Sequence, residues 1–257
     1  MTRRPSIRRQ IFETACDIAL GRVPTRAEFT ERVRSEETRM QATWDGSGET
    51  DYSFYSDPAY AWLLLNSWTV RSDTDVEVCL RSGLFSRPER VFDFHGGMGM
   101  SAVRIALEFP DATVFSHSEV PQHREWCAEL ARRFHCSDNV VQTDVIRPDC
   151  NVLLAQETLE HIKRPFDVLW DLLDVVRPTR YLDGTSFTLV SPGHHSAYEE
   201  LVGYDHECRS VIEVVPRARA KRRLTTMLRA RGFLPYWERL LDTKKPFNGH
   251  PNLWIGR

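Results

Sequence analysis

The sequence predicts an α/β fold in which a mainly parallel sheet carries an antiparallel C-terminal hairpin and an N-terminal helical cap. Short apolar runs of β type alternate with helical patterns between residues 91 and 190, which is typical of a parallel sheet. Apolar residues recur at helical spacing in the first 84 residues. Two late apolar runs, 234–240 and 252–256, predict a closing antiparallel hairpin.

The N-terminal part is expected to be helical. Ile7, Ile11 and Ala15 recur at helical spacing, and the stretch 21–24, which holds a glycine and a proline, ends that helix. A second apolar helical stretch covers 58–84. We therefore predict a helical cap over 1–84 and a sheet domain over 85–257.

The sheet domain is predicted element by element from the same patterns. Its basic C-terminal helix is expected over 217–231, just before the late hairpin. The predicted strands are 91–94, 113–116, 140–142, 152–155 and 186–190, and the predicted helices between them are 100–108, 122–135 and 164–176.

Bulk composition excludes several classes of protein. The chain is 41% hydrophobic with a formal net charge of -2, so it is neither a polycation nor an acidic tail. Its six cysteines form no C-x-x-C pair, which argues against a disulfide framework or a zinc site. No apolar run approaches the roughly 20 residues that span a bilayer. We expect a cytoplasmic protein without membrane contact, and the sequence indicates no oligomeric state.

The most informative stretch is 91–99, which reads V-F-D-F-H-G-G-M-G. A β-type run passes Asp93 and His95 into a turn containing Gly96, Gly97, Met98 and Gly99, and a helical pattern follows. Glycines let the backbone approach a ligand closely, and the N–H groups of a helix start face it. These residues predict a nucleotide-binding corner.

Two acids follow the next predicted strands. Glu119, beside Val120, lies twenty residues after Gly99, where doubly wound folds use an acid to bind ribose hydroxyls. Asp144, beside Val145, follows the third strand at a position suited to an adenine amino group. Residues 97–102 also satisfy G-x-G-x-x-A, so an NAD-linked oxidoreductase stays an alternative.

Residues 91–99 resemble the first motif of class I S-adenosylmethionine-dependent methyltransferases, D-x-G-x-G-x-G, and 151–162 resemble their fourth-strand motif. The likeness extends over 85–257 and departs at His95, Asn151 and Arg177, where a glycine, an aspartate and a Pro-Gly-Gly turn are usual. It implies a Rossmann-like fold and S-adenosylmethionine as cofactor. The residues it assigns to the cofactor are Asp93, His95, Gly96, Gly97, Met98, Gly99, Glu119, Val120, Asp144, Val145 and Gln156.

The fourth-strand motif contains an E-x-x-E-H pattern, Glu157, Glu160 and His161. Positions three and four apart share a helix face, so these side chains could converge on Mg²⁺ or Mn²⁺. The pattern resembles small-RNA 2′-O-methyltransferases and ubiquinone-biosynthesis O-methyltransferases, and this likeness implies a further histidine ligand. We expect His206, with His194 and His195 as alternatives. The same motif also occurs in metal-free members of the superfamily, where the histidine only lines the pocket.

The sequence therefore predicts an S-adenosylmethionine-dependent methyltransferase acting on an oxygen or nitrogen, with Glu157, His161 and His195 as catalytic residues. The acceptor, a small molecule or a nucleic acid, stays open. A second alternative is a catalytically silent module of the same fold that binds nucleic acid or a partner protein, since basic residues cluster at 217–231.

Overall fold

The computed structural model describes residues 6–43, 55–72, 76–77, 89–187, 194–204, 207, 209–235 and 253–256. The N-terminal part holds α1 (Ile7–Leu20), α2 (Arg26–Thr43) and α3 (Tyr60–Ser67), followed by a π-helical turn over Trp68–Ser72. The predicted boundary between 84 and 85 and the expected ligand His206 both lie outside the described residues.

The remainder alternates strands and helices, as predicted. In chain order its elements are β1 (Arg90–Phe94), α4 (Met100–Glu108), β2 (Thr113–His117), α5 (Pro121–Arg133), β3 (Val140–Thr143), β4 (Val152–Gln156), a 3₁₀ turn (Leu159–His161), α6 (Pro165–Val176), β5 (Arg180–Gly184), β6 (Ala197–Tyr204), β7 (Ser210–Pro216), α7 (Arg217–Ala230), β8 (Leu234–Pro235) and β9 (Leu253–Ile255).

The strands form a seven-stranded sheet in the order β3-β2-β1-β4-β5-β9-β8. The first five strands in this order pair in parallel. β9 pairs antiparallel with both β5 and β8, which confirms the predicted closing hairpin. The carboxyl ends of the parallel strands lie at one edge of the sheet. β2 and β3 are added on one side of β1, and β4 and β5 on its other side, so the strand order reverses between β1 and β4. Ligands of open parallel sheets bind at such an edge.

Alternating side chains of the strands divide the core between two faces. Val91 and Leu154 pack with α1, α4 and α5 on one face. Phe92, Leu153 and Tyr181 pack with α6 and α7 on the other. Helix α1 contributes Ile11, Ala15 and Cys16 to the first of these cores, so it is packed with the sheet.

One prediction about the region after α6 was wrong. The fifth strand is Arg180–Gly184, whereas we expected it at 186–190. Its alternation was obscured by Asp183, a fully buried carboxylate paired with Lys221. After β5, the strands β6 and β7 pair antiparallel with each other and form a separate two-stranded sheet. Among the described residues, no helix combines the length and apolarity needed to cross a bilayer.

Candidate active site

The glycine turn between β1 and α4 is tightly closed. The Gly96 N–H donates to the His117 carbonyl and the Gly99 N–H to the Gly96 carbonyl, each at 2.9 Å. A Cβ on Gly96 would lie 2.4 Å from Asp93 Oδ2, and one on Gly99 would lie 2.2 Å from Cys127 Sγ. Gly99 also has φ +72°, which favours glycine. The turn therefore needs glycine at both positions.

His95 occupies the position where the methyltransferase motif has its first glycine. Its φ is +55°, a left-handed conformation that explains the usual preference for glycine there. Its ring stacks on Phe94 with centroids 4.1 Å apart and lies parallel to His117 at 5.4 Å. Burial and the neighbouring His117 lower the pKa of His95 to about 3, so the ring is neutral near pH 7.

Asp93 supplies an unsatisfied buried group beside this turn. Its side chain is 2% exposed, and Oδ2 has no hydrogen-bond partner. Burial raises the pKa of this carboxyl to about 7. A buried acceptor without a partner is costly in free energy, and such groups are commonly satisfied by a ligand or water.

A cavity of about 280 Å³ opens at the carboxyl edge of the sheet, beside this turn. That volume is near the lower end for small-molecule sites, roughly 300–1,000 Å³. The cavity brings together residues assigned to the cofactor and residues assigned to catalysis. The predicted site residues that line it are Asp93, His95, Gly96, Gly97, Met98, Glu119, Val120, Gln156, Glu157 and His161.

Several predicted residues are not in the lining. Gly99 underlies the turn, as its contact with Cys127 shows. Asp144 lies 3.9 Å from Arg124 at the surface, and Val145 is 51% exposed. Both follow β3 on an exposed segment. Their position after the third strand was the reason for assigning them to the cofactor. That position does not determine the direction that the chain takes beyond the strand.

A second cluster lies beyond the end of β4. One ligand atom each from Glu160, His161 and His194 fall within 4.8 Å of one another. The rings of His161 and His194 meet edge to face, with centroids 4.7 Å apart. Glu160 is fully buried; its Oε1 accepts from the Ser186 N–H at 2.8 Å, whereas Oε2 has no partner. Burial and the nearby Glu157 raise the pKa of Glu160 well above its usual value.

Glu157, predicted both as catalyst and as metal ligand, stands slightly apart from that cluster. Its Oε1 accepts a hydrogen bond from Ser186 Oγ at 2.9 Å. Its backbone has φ +49°, an uncommon conformation for a glutamate. Backbone strain of this kind is often found at functional sites. Glu157 lines the cavity, whereas Glu160 does not.

His194 and His195 have different surroundings. His194 lines the cavity, and His195, the predicted catalytic residue, does not. The His195 N–H donates to the Glu160 carbonyl at 3.2 Å, and its ring Nε2 lies 3.2 Å from the His161 carbonyl. The Arg217 guanidinium donates to the carbonyls of both histidines. Hydrogen bonds to the 3₁₀ turn and to Arg217 thus hold residues 194–195 in place.

The N-terminal helices cover the cavity with aromatic and polar side chains. Tyr55 meets Tyr60 edge to face at 5.0 Å and His161 at 6.3 Å. Tyr60 also stacks on His123 at 6.1 Å, and burial lowers the pKa of His123 to about 4. His123 was not predicted to have a site role, although it lies only four residues after Glu119 in the sequence. The lining residues that sequence analysis missed also include Glu37, Met40, Asn66, Ser67 and Ser118.

Comparison with known proteins supports the fold. No family model matches the chain, and no curated protein is significantly similar to it in sequence. Mitomycin 7-O-methyltransferase MmcR shares its fold with a TM-score of 0.52 at 14% identity, over 88% of this chain and 67% of that one. This likeness shows a common Rossmann-like α/β fold.

Two further solved structures have lower similarity. An O-methyltransferase family protein from Burkholderia thailandensis has a TM-score of 0.42 at 17% identity, over 60% of this chain and 48% of that one. The S-adenosylmethionine-dependent methyltransferase SibL has a TM-score of 0.40 at 20% identity, over 66% and 49%. The chain spans about half the length of these two structures.

Proposed function

We propose that this chain is an S-adenosylmethionine-dependent methyltransferase that methylates an oxygen or nitrogen of its acceptor. The observation that carries the proposal is a single cavity lined both by the glycine turn with Glu119 and by Glu157, His161 and His194. Cofactor and acceptor groups would thus share one enclosed space. Shared fold with mitomycin 7-O-methyltransferase is consistent with this chemistry.

The residues present fit the cofactor on structural grounds. Asp93 offers a buried acceptor that lacks a partner. Gly97, at φ +55°, brings backbone to the cavity surface beside the first turn of α4, whose N–H groups lack partners within the helix. Glu119 lies at the cavity and makes no hydrogen bond or ion pair within the described part of the chain. We assign Glu119 to the ribose hydroxyls, because a carboxylate accepts from two donors at once.

When bound, S-adenosylmethionine supplies a methyl group activated by its sulfonium. The protein's own part is to hold the acceptor in line and to exclude water, which can account for much of the rate of such a transfer. Glu157, at the cavity, can accept the acceptor's proton, and His194 can do so when its ring nitrogen is not bound to a metal ion. We propose His194 in place of His195, because the His195 ring lies against the His161 carbonyl.

We further propose that Glu160, His161 and His194 hold a divalent ion. The buried Glu160 Oε2 has no partner, and three donor atoms converge. One carboxylate and two imidazoles favour Mn²⁺ over Mg²⁺, which prefers oxygen ligands. The ion would supply Lewis-acid chemistry beside the acceptor. Activity that survives EDTA unchanged would exclude a catalytic role for the ion.

The two alternatives have weaker support. The classic NAD-binding sheet has six strands in the order 3-2-1-4-5-6, whereas here the strand beside β5 is antiparallel. A silent module that binds nucleic acid would use the basic helix α7. However, Lys221 pairs with Asp183 and Arg223 with Glu200, so these two cations are already in ion pairs within the protein.

The four described free cysteines are buried thiols, which agrees with the cytoplasmic location we propose.

Calorimetric titration of the purified chain with S-adenosylmethionine, S-adenosylhomocysteine and NAD tests the proposal. We expect both S-adenosyl compounds to bind and NAD not to bind. Tight binding of NAD alone would support the oxidoreductase, and failure of all three to bind would support the silent module.

A further inference from the structure

The described lining of the cavity has a one-sided charge. It contains the carboxyl groups of Glu37, Asp93, Glu119 and Glu157, and neither a lysine nor an arginine. Two of its histidines do not offset this charge, because burial holds the pKa of His95 near 3 and that of His123 near 4. An acceptor with a phosphate or carboxylate would enter this cavity against like charges and would meet no lysine or arginine in its described lining.

A divalent ion would not reverse this balance. The ligand carboxylate of Glu160 is additional to the four lining carboxyl groups. The two positive charges of the ion would therefore be outnumbered by the four carboxylates of Glu160, Glu37, Glu119 and Glu157. The cavity would keep a net negative charge even when Asp93 is protonated.

The cavity lining also includes aromatic and apolar side chains from the N-terminal part of the chain. Tyr55 and Tyr60 meet edge to face, and Tyr55 also contacts His161 edge to face. Met40 and Leu63 lie along the same lining. Flat aromatic molecules gain packing energy against such rings, which favour stacked and edge-to-face contacts.

No lysine or arginine of the basic helix α7 lines the cavity as described, although Arg219 and Arg222 are exposed at the protein surface. Arg217 donates to the carbonyls of His194 and His195. Lys221 and Arg223 are paired with buried or half-buried carboxylates, and Arg231 is paired with Asp174. Nucleic-acid affinity depends on free lysine and arginine side chains that neutralise phosphates.

We propose that the methyl acceptor is a small aromatic molecule without phosphate or carboxylate groups, uncharged or cationic, held between the N-terminal helices and the end of β4. This inference rests on the proposed function and narrows its acceptor, which the sequence left open between small molecule and nucleic acid. Glu37, half-buried on α2 and part of the lining, contributes to this charge preference and is assigned neither to the cofactor nor to the metal ion.

Three phenols of similar size test the preference: tyrosol (neutral), tyramine (cationic) and 4-hydroxyphenylacetate (anionic), with a short single-stranded RNA as fourth probe. Dissociation constants are measured by NMR, with and without S-adenosylhomocysteine, and methyl transfer is followed from labelled S-adenosylmethionine. We expect tyrosol and tyramine to bind at least about tenfold more tightly than the anion, a difference that about 1.4 kcal/mol produces. Equal or tighter binding of the anion, methylation of the RNA, or no binding of any phenol at millimolar concentration would overturn the proposal.

Glu37→Lys supplies an internal test, with Glu31→Lys as its control. Both residues lie on α2, but Glu31 is exposed and does not line the cavity. We expect Glu37→Lys to shift the ratio of affinities toward 4-hydroxyphenylacetate and Glu31→Lys to leave it unchanged. Glu37→Gln, a smaller change, should shift it in the same direction; an unchanged ratio in both Glu37 variants would refute the role of this residue. Titration of the wild-type chain with S-adenosylmethionine separates failure of the proposed function from failure of the proposed acceptor. Absence of S-adenosylmethionine binding would refute the proposed function. The order of the three phenol affinities would still test the acceptor preference.

Discussion

The rings of His161 and His194 meet edge to face, with centroids 4.7 Å apart and planes at 87°. Thirty-three positions separate them in the sequence, yet their nitrogens lie within 4.8 Å of each other and of Glu160. Histidine rings held beside a buried carboxylate oxygen without a partner are a donor set suited to a transition metal.

The first prediction concerns metal binding at this cluster. We expect the wild-type chain to bind one equivalent of Mn²⁺, measured by electron paramagnetic resonance, and Glu160→Gln and His194→Ala to weaken binding by about tenfold or more, since each removes a ligand. His135→Asn, at an exposed histidine outside the cluster, is the control. Wild-type affinity in both ligand variants would rule out this site.

Arg217 is expected to affect the same measurement indirectly. Its guanidinium holds the carbonyls of His194 and His195 through three hydrogen bonds. Arg217→Ala should weaken Mn²⁺ binding by about tenfold, the lower range for groups that orient metal ligands, while S-adenosylmethionine affinity stays unchanged. Arg219→Ala, at an exposed position two residues further along α7, should change neither the Mn²⁺ affinity nor the S-adenosylmethionine affinity. Equal loss of cofactor affinity would indicate general destabilisation instead.

Glu119 should determine cofactor affinity. Removing hydrogen bonds to a charged acceptor costs about 1.5–3 kcal/mol, so we expect Glu119→Ala to weaken S-adenosylmethionine binding about 10- to 100-fold by calorimetry. Glu125→Ala, at an exposed glutamate on α5, should bind as the wild type does. Full affinity in Glu119→Ala would exclude the ribose assignment.

The buried Asp93 predicts a pH dependence of stability. Its pKa is raised to about 7, so the folded state keeps a proton that the unfolded state has released. The associated stability is complete below the unfolded pKa and is lost as pH rises through about 7. We expect Asp93→Asn to gain stability relative to wild type between pH 5 and pH 8 by up to about 2–3 kcal/mol. Urea unfolding at both pH values measures this, with exposed Asp111→Asn as control; a difference that does not change with pH would contradict it.

His95 and His135 form a matched pair, because both have φ +55°. Histidine tolerates a left-handed conformation better than a β-branched residue does, so valine adds a backbone cost at both sites. His95→Val should destabilise the protein by this backbone cost plus the lost stacking on Phe94 and His117, about 0.5–1.5 kcal/mol per aromatic pair. His135→Val, at an exposed site, should show only the backbone cost. Equal losses of free energy of unfolding at both sites would show that the stack adds nothing.

The alternation of short strands and amphipathic helices was sufficient to predict the architecture, because periodicity is a local property of the chain. The helix predicted over 100–108 matches α4, and the late hairpin matches β8 and β9. Asp183 obscured the strand β5, since the ion pair that this buried carboxylate makes is with Lys221, which lies 38 positions away. Such pairing is invisible to local patterns.

By itself, the sequence determined which turn could approach a ligand, because glycines between a β-type run and a helical pattern let the backbone come close to a ligand. It also determined the candidate donors of the E-x-x-E-H pattern. Only the tertiary structure decided that His194 meets His161 while His195 turns to a backbone carbonyl, and that Asp144 remains at the surface. Neighbouring residues have the same chemistry in a sequence, but packing against β4, α7 and the N-terminal helices sends their side chains in different directions.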